Sequence, residues 1–170
     1  MKARNYRSIR GMLYTRLEYI HGAPQPRITI FNMGTYKNDY TVEVRLCANE
    51  RALIRDRALE ALRVTVNRML QKKVGPNNYY YVILPYPHHV LRENKMMTGA
   101  GADRLQEGMR RAFGKPIGRA AAVEKGQVIA KVLTYDDYIP IVKEILRSGA
   151  AKIPKGGRIE VVYLGKNKAG

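Results

Sequence analysis

Three observations on the sequence predict an α+β fold. Five runs rich in β-branched or aromatic residues are bounded by turn formers, and two stretches carry apolar residues at helical spacing. The two kinds of element do not alternate as regular βαβ units, which argues against a doubly wound parallel sheet. The chain has 170 residues, 45% of them apolar, enough for one domain with a real core. Neither an internal repeat nor a domain boundary interrupts residues 1–170, so a single domain is expected.

The strands are expected in "RITIFNM" (Arg27 to Met33), "TVEVRLC" (Thr41 to Cys47), "YYYVIL" (Tyr79 to Leu84), "QVIAKVL" (Gln127 to Leu133) and "RIEVVYL" (Arg158 to Leu164). In "AAAVEKGQVIAKVL" a short strand precedes Lys125 and Gly126, which predicts a hairpin with the strand that follows. Asn49 can cap a long helix from Glu50 to about Lys73 that buries Ile54, Ala58, Ala61, Leu62 and Met69 and stops before Gly75. Asp137 can cap a second, from Tyr138 to about Ser148, with Ile141, Ile145 and Leu146 apolar and Gly149 as its stop.

Charge is the unusual property. Lys and Arg number 31 against 14 Asp and Glu, a formal net charge of +17, and the pI is near 10.2. Self-repulsion on that scale favours a polyanionic partner, and for a small domain that partner is nucleic acid. A membrane is not expected: the sequence has no apolar run of spanning length, and Met1 opens a basic polar arm rather than a signal peptide. Cys47 is the only cysteine, so no internal disulfide forms.

The cations fall in three groups. Lys2, Arg4, Arg7, Arg10 and Arg16 occupy an arm of about residues 1–16 without an acid, interleaved with Tyr6 and Tyr14. Arginines there can fork onto phosphates while tyrosines stack on bases or sugars; a solvated basic tail is the plainer reading. Arg68, Lys72 and Lys73 have no acid at helical spacing and lie where the helix dipole favours cations, so dipole complementarity and phosphate contact both account for them. In "TGAGADRLQEGMRRAFGKPIG" (Thr98 to Gly118), five glycines are spaced among Arg104, Arg110, Arg111 and Lys115. This reads as a mobile loop of about 99–118 whose backbone can approach phosphates, flanked at its entry by Arg92 and Lys95. The alternative is a short amphipathic turn through Leu105, Met109 and Phe113 docked on the core.

Catalysis finds no support in spacing. His21, His88 and His89 are the only histidines, and neither a C-x-x-C pair nor an H-E-x-x-H helix offers a zinc site. His88 and His89 point to opposite faces if extended, which suits packing for one and RNA contact for the other. "GMRRAFGKP" departs from a phosphate-binding loop, with five residues between Gly108 and Gly114 and Pro116 at the place of the magnesium-ligating hydroxyl. In "GAGADR", Arg104 stands where a dinucleotide fingerprint needs glycine. No catalytic residue, metal site or cofactor is expected.

"PHHVLRENKMMTGAGADRLQEGMRRAFGKPIG" resembles the central signature of the large-subunit ribosomal protein family called L-ten-e in archaea and eukaryotes, the counterpart of bacterial L-sixteen. "ARNYR", "RITIFNMG", "ALEALRVTVNRML" and "AAAVEKGQVIAKV" extend the likeness over nearly the whole chain, and the short C-terminus is of the archaeal type. The resemblance implies a two-layer α/β sandwich with a hammerhead-like β element, a mixed or antiparallel sheet and two main helices. It implies a structural, cytoplasmic, ribosome-associated protein on large-subunit rRNA, beside neighbouring ribosomal proteins, with the loop reaching toward tRNA near the peptidyl-transferase region. Carried over by position, the rRNA contacts are Arg4, Tyr6, Arg7, His88, Arg92, Lys95, Arg104, Arg110, Lys115 and Pro116. Arg111 stands where the family often has glycine, adding charge. A tRNA-directed enzyme and a free-standing RNA chaperone are the competing classes.

Overall fold

The structure, a computed structural model, describes residues 2–9, 11, 13, 19–95 and 113–164. Arg10, Arg16, Arg104, Arg110 and Arg111 lie outside the described residues, as does the expected loop through residue 112.

A five-stranded sheet forms the main layer. Its order is β1 (Asn32–Gly34), β4 (Tyr80–Ile83), β7 (Val128–Thr134), β2 (Val42–Ala48), β8 (Gly157–Tyr163), every neighbour antiparallel. A second sheet has three antiparallel strands in the order β3 (Ala52–Arg55), β6 (Lys115–Val123), β5 (His89–Glu93). Two helices, α1 (Asp56–Lys73) and α2 (Ile139–Ala150), complete an α+β fold.

Strand alternation explains the main core. Val42, Val44, Leu46 and Ala48 of β2 share one face, and with Tyr81 and Ile83 of β4 and Ala130 and Val132 of β7 they meet Leu59, Leu62, Val66 and Leu70 of α1 and Val142, Ile145 and Leu146 of α2. The opposite face of β2 carries Glu43, Arg45 and Cys47, and Glu43 there pairs with Arg45 at 2.5 Å.

Among the described residues, strand β6 is the only member of its sheet with a strand on both sides, and its composition follows from being covered on both faces. Ala121 and Val123 belong to the main core; Ala120, with Ala122 beside it, belongs to a second cluster with Leu53 and Leu91. Alanines keep the strand thin between two cores.

Several expectations are corrected. The first helix begins at Asp56, not Glu50, because Ala52–Arg55 pairs with Ala120–Val123 as β3; tertiary pairing there overrides helical propensity. Asn49 is therefore no helix cap, and its side-chain amide donates to the Lys155 carbonyl at 3.2 Å. Ile54 is buried from a strand, while Ala58, Ala61 and Met69 sit beside the buried stripe of α1. Of "RITIFNM" only Asn32 and Met33 belong to β1, with the Phe31 carbonyl accepting the Ile83 N–H at 2.9 Å just before it, while the Arg27 amide donates to the Asp56 side chain. The hairpin turn forms, with Gln127 N–H donating to Glu124 O at 3.1 Å, but β6 and β7 diverge into different sheets. Neither Asp136 nor Asp137 caps α2; a 3-10 turn over Asp136–Tyr138 leads into it. Gly149 is not its stop but a buried residue within it. Lys115 to Gly118, expected as the end of the loop, are the first residues of β6.

The N-terminus of α1 rests on a buried carboxylate. Asp56 accepts the Arg27 backbone N–H at 2.9 Å through Oδ2 and the Arg57 N–H at 2.8 Å through Oδ1. Asp56→Ala leaves a donor unsatisfied and should cost about 1–3 kcal/mol, read as a lower urea midpoint at unchanged slope.

Candidate nucleic-acid interface

The described part of the arm is docked. A 3-10 turn over Ala3–Asn5 leads to Tyr6 and Arg7, and the Arg7 carbonyl accepts the Leu53 backbone N–H at 2.9 Å. Tyr6, Ile9 and Leu13 pack on the Leu53, Leu91 and Ala120 cluster, covering the outer face of the three-stranded sheet. Tyr6, expected to stack on bases or sugars, thus packs in part against its own sheet. Its ring is half-buried and lies 5.5 Å from the Arg55 guanidinium carbon, so it serves a cation of the same chain. Lys2, Arg4 and Arg7 remain exposed.

The second group stands on the β5–β6 pair of that sheet. Arg92 lies opposite Pro116 and Glu93 opposite Lys115, across an irregularity that begins after Leu91. The Arg92 guanidinium carbon sits 3.9 Å from the centroid of Phe113, itself 76% exposed, so a cation and a ring are presented together. Gly114 makes this possible. With φ at +79° and a Cβ position 2.7 Å from the Glu93 backbone carbon, it admits no side chain where the two strands close on each other. Lys95 and Lys115 are exposed and Pro116 is half-buried.

The histidine pair divides as the alternation predicts. His88 is exposed, its backbone N–H donating to Tyr86 O at 3.0 Å; His89 is half-buried in β5. Burial, followed by the nearby His88 and Arg92 charges, holds the His89 imidazole below its ordinary range. The folded state therefore takes up its proton less readily than the unfolded state. This contribution to stability is complete above the unfolded value of about 6.5 and is lost as pH falls from there toward the lowered folded value. His89→Gln should flatten the decline in melting temperature between pH 7.5 and 5 relative to the parent.

The third predicted group stands apart. Arg68, Lys72 and Lys73 follow the first turn of α1 by roughly 18–25 Å along its axis. Lys73 is paired with Glu144 of α2 at 3.0 Å, an acid its own helix could not reveal. Arg68 and Lys72 are exposed. The structure thus brings the arm and the β5–β6 cations onto one sheet and leaves the helix group elsewhere.

Acid placement sharpens the asymmetry. Glu43, Glu50, Glu60, Glu124, Glu144 and Glu160 pair respectively with Arg45, Lys155, Arg63, Arg51, Lys73 and Arg158. None of these pairs includes Lys2, Arg4, Arg7, Arg55, Arg57 or Lys152, and these six have no acidic partner among the described residues. Arg55, Arg57 and Lys152 were missed as a group by sequence reasoning, since they come from two distant segments. The described residues hold no His, Cys, Asp and Glu group able to bind a metal, and none of their helices is long and apolar enough to cross a membrane.

Fold and site together define a cation-rich α+β domain in which six glutamates pair with cations of the body while Lys2, Arg4, Arg7, Arg55, Arg57 and Lys152 have no acidic partner among the described residues: the form of a protein built to lie against a polyanion. Residues 9–160 match the family model described as ribosomal protein L16p/L10e, and the chain belongs to that family. Proteins named large ribosomal subunit protein uL16 are similar over almost their whole length. Identity is 52% with that of Pyrobaculum calidifontis (98% of this chain, 96% of the relative), 50% with that of Hyperthermus butylicus (95% and 89%) and 47% with that of Thermoplasma acidophilum (99% and 95%). The family is one of ribosomal proteins, not enzymes.

Proposed function

We infer that this chain is a structural constituent of the large ribosomal subunit, held on large-subunit rRNA beside neighbouring ribosomal proteins. The observation that carries the reading is the pooling of unpaired cations from the arm and exposed cations from the β5–β6 pair about one sheet. Lys2, Arg4, Arg7, His88, Arg92, Lys95 and Lys115 form its RNA-facing side, with Pro116 shaping the strand and Tyr6 supporting the arm. Arg68 and Lys72 offer a separate contact. Arg10 and Arg16 extend the arm's charge, and Arg104, Arg110 and Arg111 carry it through the glycine-rich segment, which we assign to the tRNA near the peptidyl-transferase region. Peptide-bond chemistry is left to the RNA.

The test is to express the tagged chain, sediment it with large subunits and map its RNA crosslinks; a chain absent from large subunits would remove the reading. A second arm replaces residues 99–112 with a short Gly-Ser linker. Changing a closed loop's length alters chain entropy by about 1 kcal/mol or less, so folding and subunit occupancy should persist while tRNA positioning is impaired. Full occupancy with unchanged tRNA affinity would detach the segment from that role.

A further inference from the structure

A cleft of about 410 Å³ opens where the arm crosses the start of α1 and the α2–β8 connection. Leu53 and Ile153 contribute apolar walls, and four cations line it: Arg7 from the arm, Arg55 and Arg57 from the β3–α1 junction, and Lys152 beyond α2. We propose that this cleft is a phosphodiester site that takes one backbone phosphate of a bound RNA, with the arm as its closing wall. The proposal rests on the rRNA-binding reading above and names the place on the chain where that binding is built.

Charge balance is the first argument. No carboxylate lines the cleft, and none of the four cations has an acidic partner among the described residues. The nearest acid in sequence, Asp56, is buried with its oxygens engaged by two backbone N–H groups. Cations from three separate segments repel one another, so the free chain bears a cost that an anion in the cleft removes.

Preorganisation is the second. Arg55 is held by the Tyr6 ring on one side, and its guanidinium passes over Gly118, 3.4 Å from where a Cβ would stand and so within ordinary van der Waals contact of that position. Its Nε is buried without a hydrogen-bond partner. A donor stripped of water and left unpaired is destabilising, and a guanidinium that is already fixed and poorly hydrated binds an oxyanion with little further loss of entropy. Arg55 and Arg57 also flank the first residue of an 18-residue helix, whose dipole adds positive potential on that side.

Free phosphate shares this chemistry, but the line of charge favours a polymer. Ala3 lines the cleft, and Lys2 and Arg4 on either side of it are exposed. A single phosphate uses the cleft alone; a chain of phosphodiesters uses the flanking cations too.

The experiment uses the full chain with Arg57→Gln and Lys152→Gln combined, both positions being exposed, against Lys125→Gln with Arg147→Gln as a control of equal charge loss. Filter binding to large-subunit rRNA is measured from 50 to 200 mM salt. Loss of one phosphate contact lowers the log-log slope by about 0.7–0.9, equivalent to roughly five- to eightfold weaker binding at 0.1 M. That decrease should appear in the cleft variant and not in the control, with melting temperatures unchanged in both. Titrating the parent with inorganic phosphate, and with RNA at equal phosphate concentration, while following the Arg55 Nε–Hε resonance separates the two sources; the RNA should shift it at far lower concentration. Parent affinity and slope in the cleft variant would overturn the proposal while leaving the ribosomal reading intact. An equal response to inorganic phosphate would overturn the RNA assignment of the cleft. A parent that fails to bind large-subunit rRNA would instead sink the reading on which the proposal rests.

Discussion

A variant carrying glutamine at Arg4, Arg7, Arg92, Lys95 and Lys115 should bind large-subunit rRNA roughly three-thousand- to thirty-thousandfold more weakly than the parent at 0.1 M salt. Each phosphate neutralised releases condensed counterions and contributes about 0.7–0.9 to the log-log slope, so five contacts account for about 3.5–4.5 decades between 1 M and 0.1 M. The loss should shrink as salt is raised, which separates it from a lost apolar contact. None of the five side chains belongs to either buried cluster, so the fold should persist, with the Arg92 to Phe113 stack among the internal contacts removed. Filter binding across a salt series, with circular dichroism as the control for folding, reads both quantities. A folded variant that keeps the parent slope would place the RNA on another face.

Gly149→Leu should be the most damaging single substitution in the body of the protein. A Cβ at this position would lie 2.5 Å from Val66 Cγ2 and 2.8 Å from Leu62 Cδ1, and both of those side chains are fully buried in α1. Neither can retreat without disturbing the face that α1 packs on the sheet. Overpacking of this kind costs about 3 kcal/mol or more for a large side chain, a fall in melting temperature of roughly 6–12 °C for a chain of this size. Gly149→Ala gains about 1 kcal/mol of helical propensity, so its net loss should be much smaller. Combining it with Val66→Ala opens the space the new methyl needs, and the pair should be coupled by about 1 kcal/mol in a double-mutant cycle. Equal stability of Gly149→Leu and the parent would mean that the helices can separate freely.

These two cases also mark what the sequence disclosed. The period-2 runs of β2, β4 and β7 were legible because each places apolar residues on a buried face, and that of β8 because Ile159 and Val161 pack half-buried on the same core, a local property. Gly149 was misread because a glycine near a helix end looks the same whether it ends the helix or lets another helix approach; only the position of Leu62 and Val66, some eighty residues away, distinguishes them. β3 was read as helix for a related reason. "ALIR" runs without a breaker into α1, and its partner in β6 lies more than sixty residues further on. In the interface, the arm was visible as cations without an acid, and Arg92 and Lys95 as bases flanking the entry to the glycine-rich segment. The pairing of Lys73 with Glu144 and the use of Tyr6 to hold Arg55 depend on tertiary contacts that no spacing encodes.

The hydrogen bond from Leu53 to the Arg7 carbonyl has a consequence for the chain's life before assembly. β3 is an outer strand of the three-stranded sheet, and this bond occupies an edge amide that β6 does not use. Such an edge, with the apolar Leu53 on it, is a template for another chain's backbone. The arm is thus a guard against self-association as well as a carrier of charge. Its cations repel a second copy while its backbone fills the place that copy would take, and the small sheet stays protected in the interval between synthesis and capture by RNA.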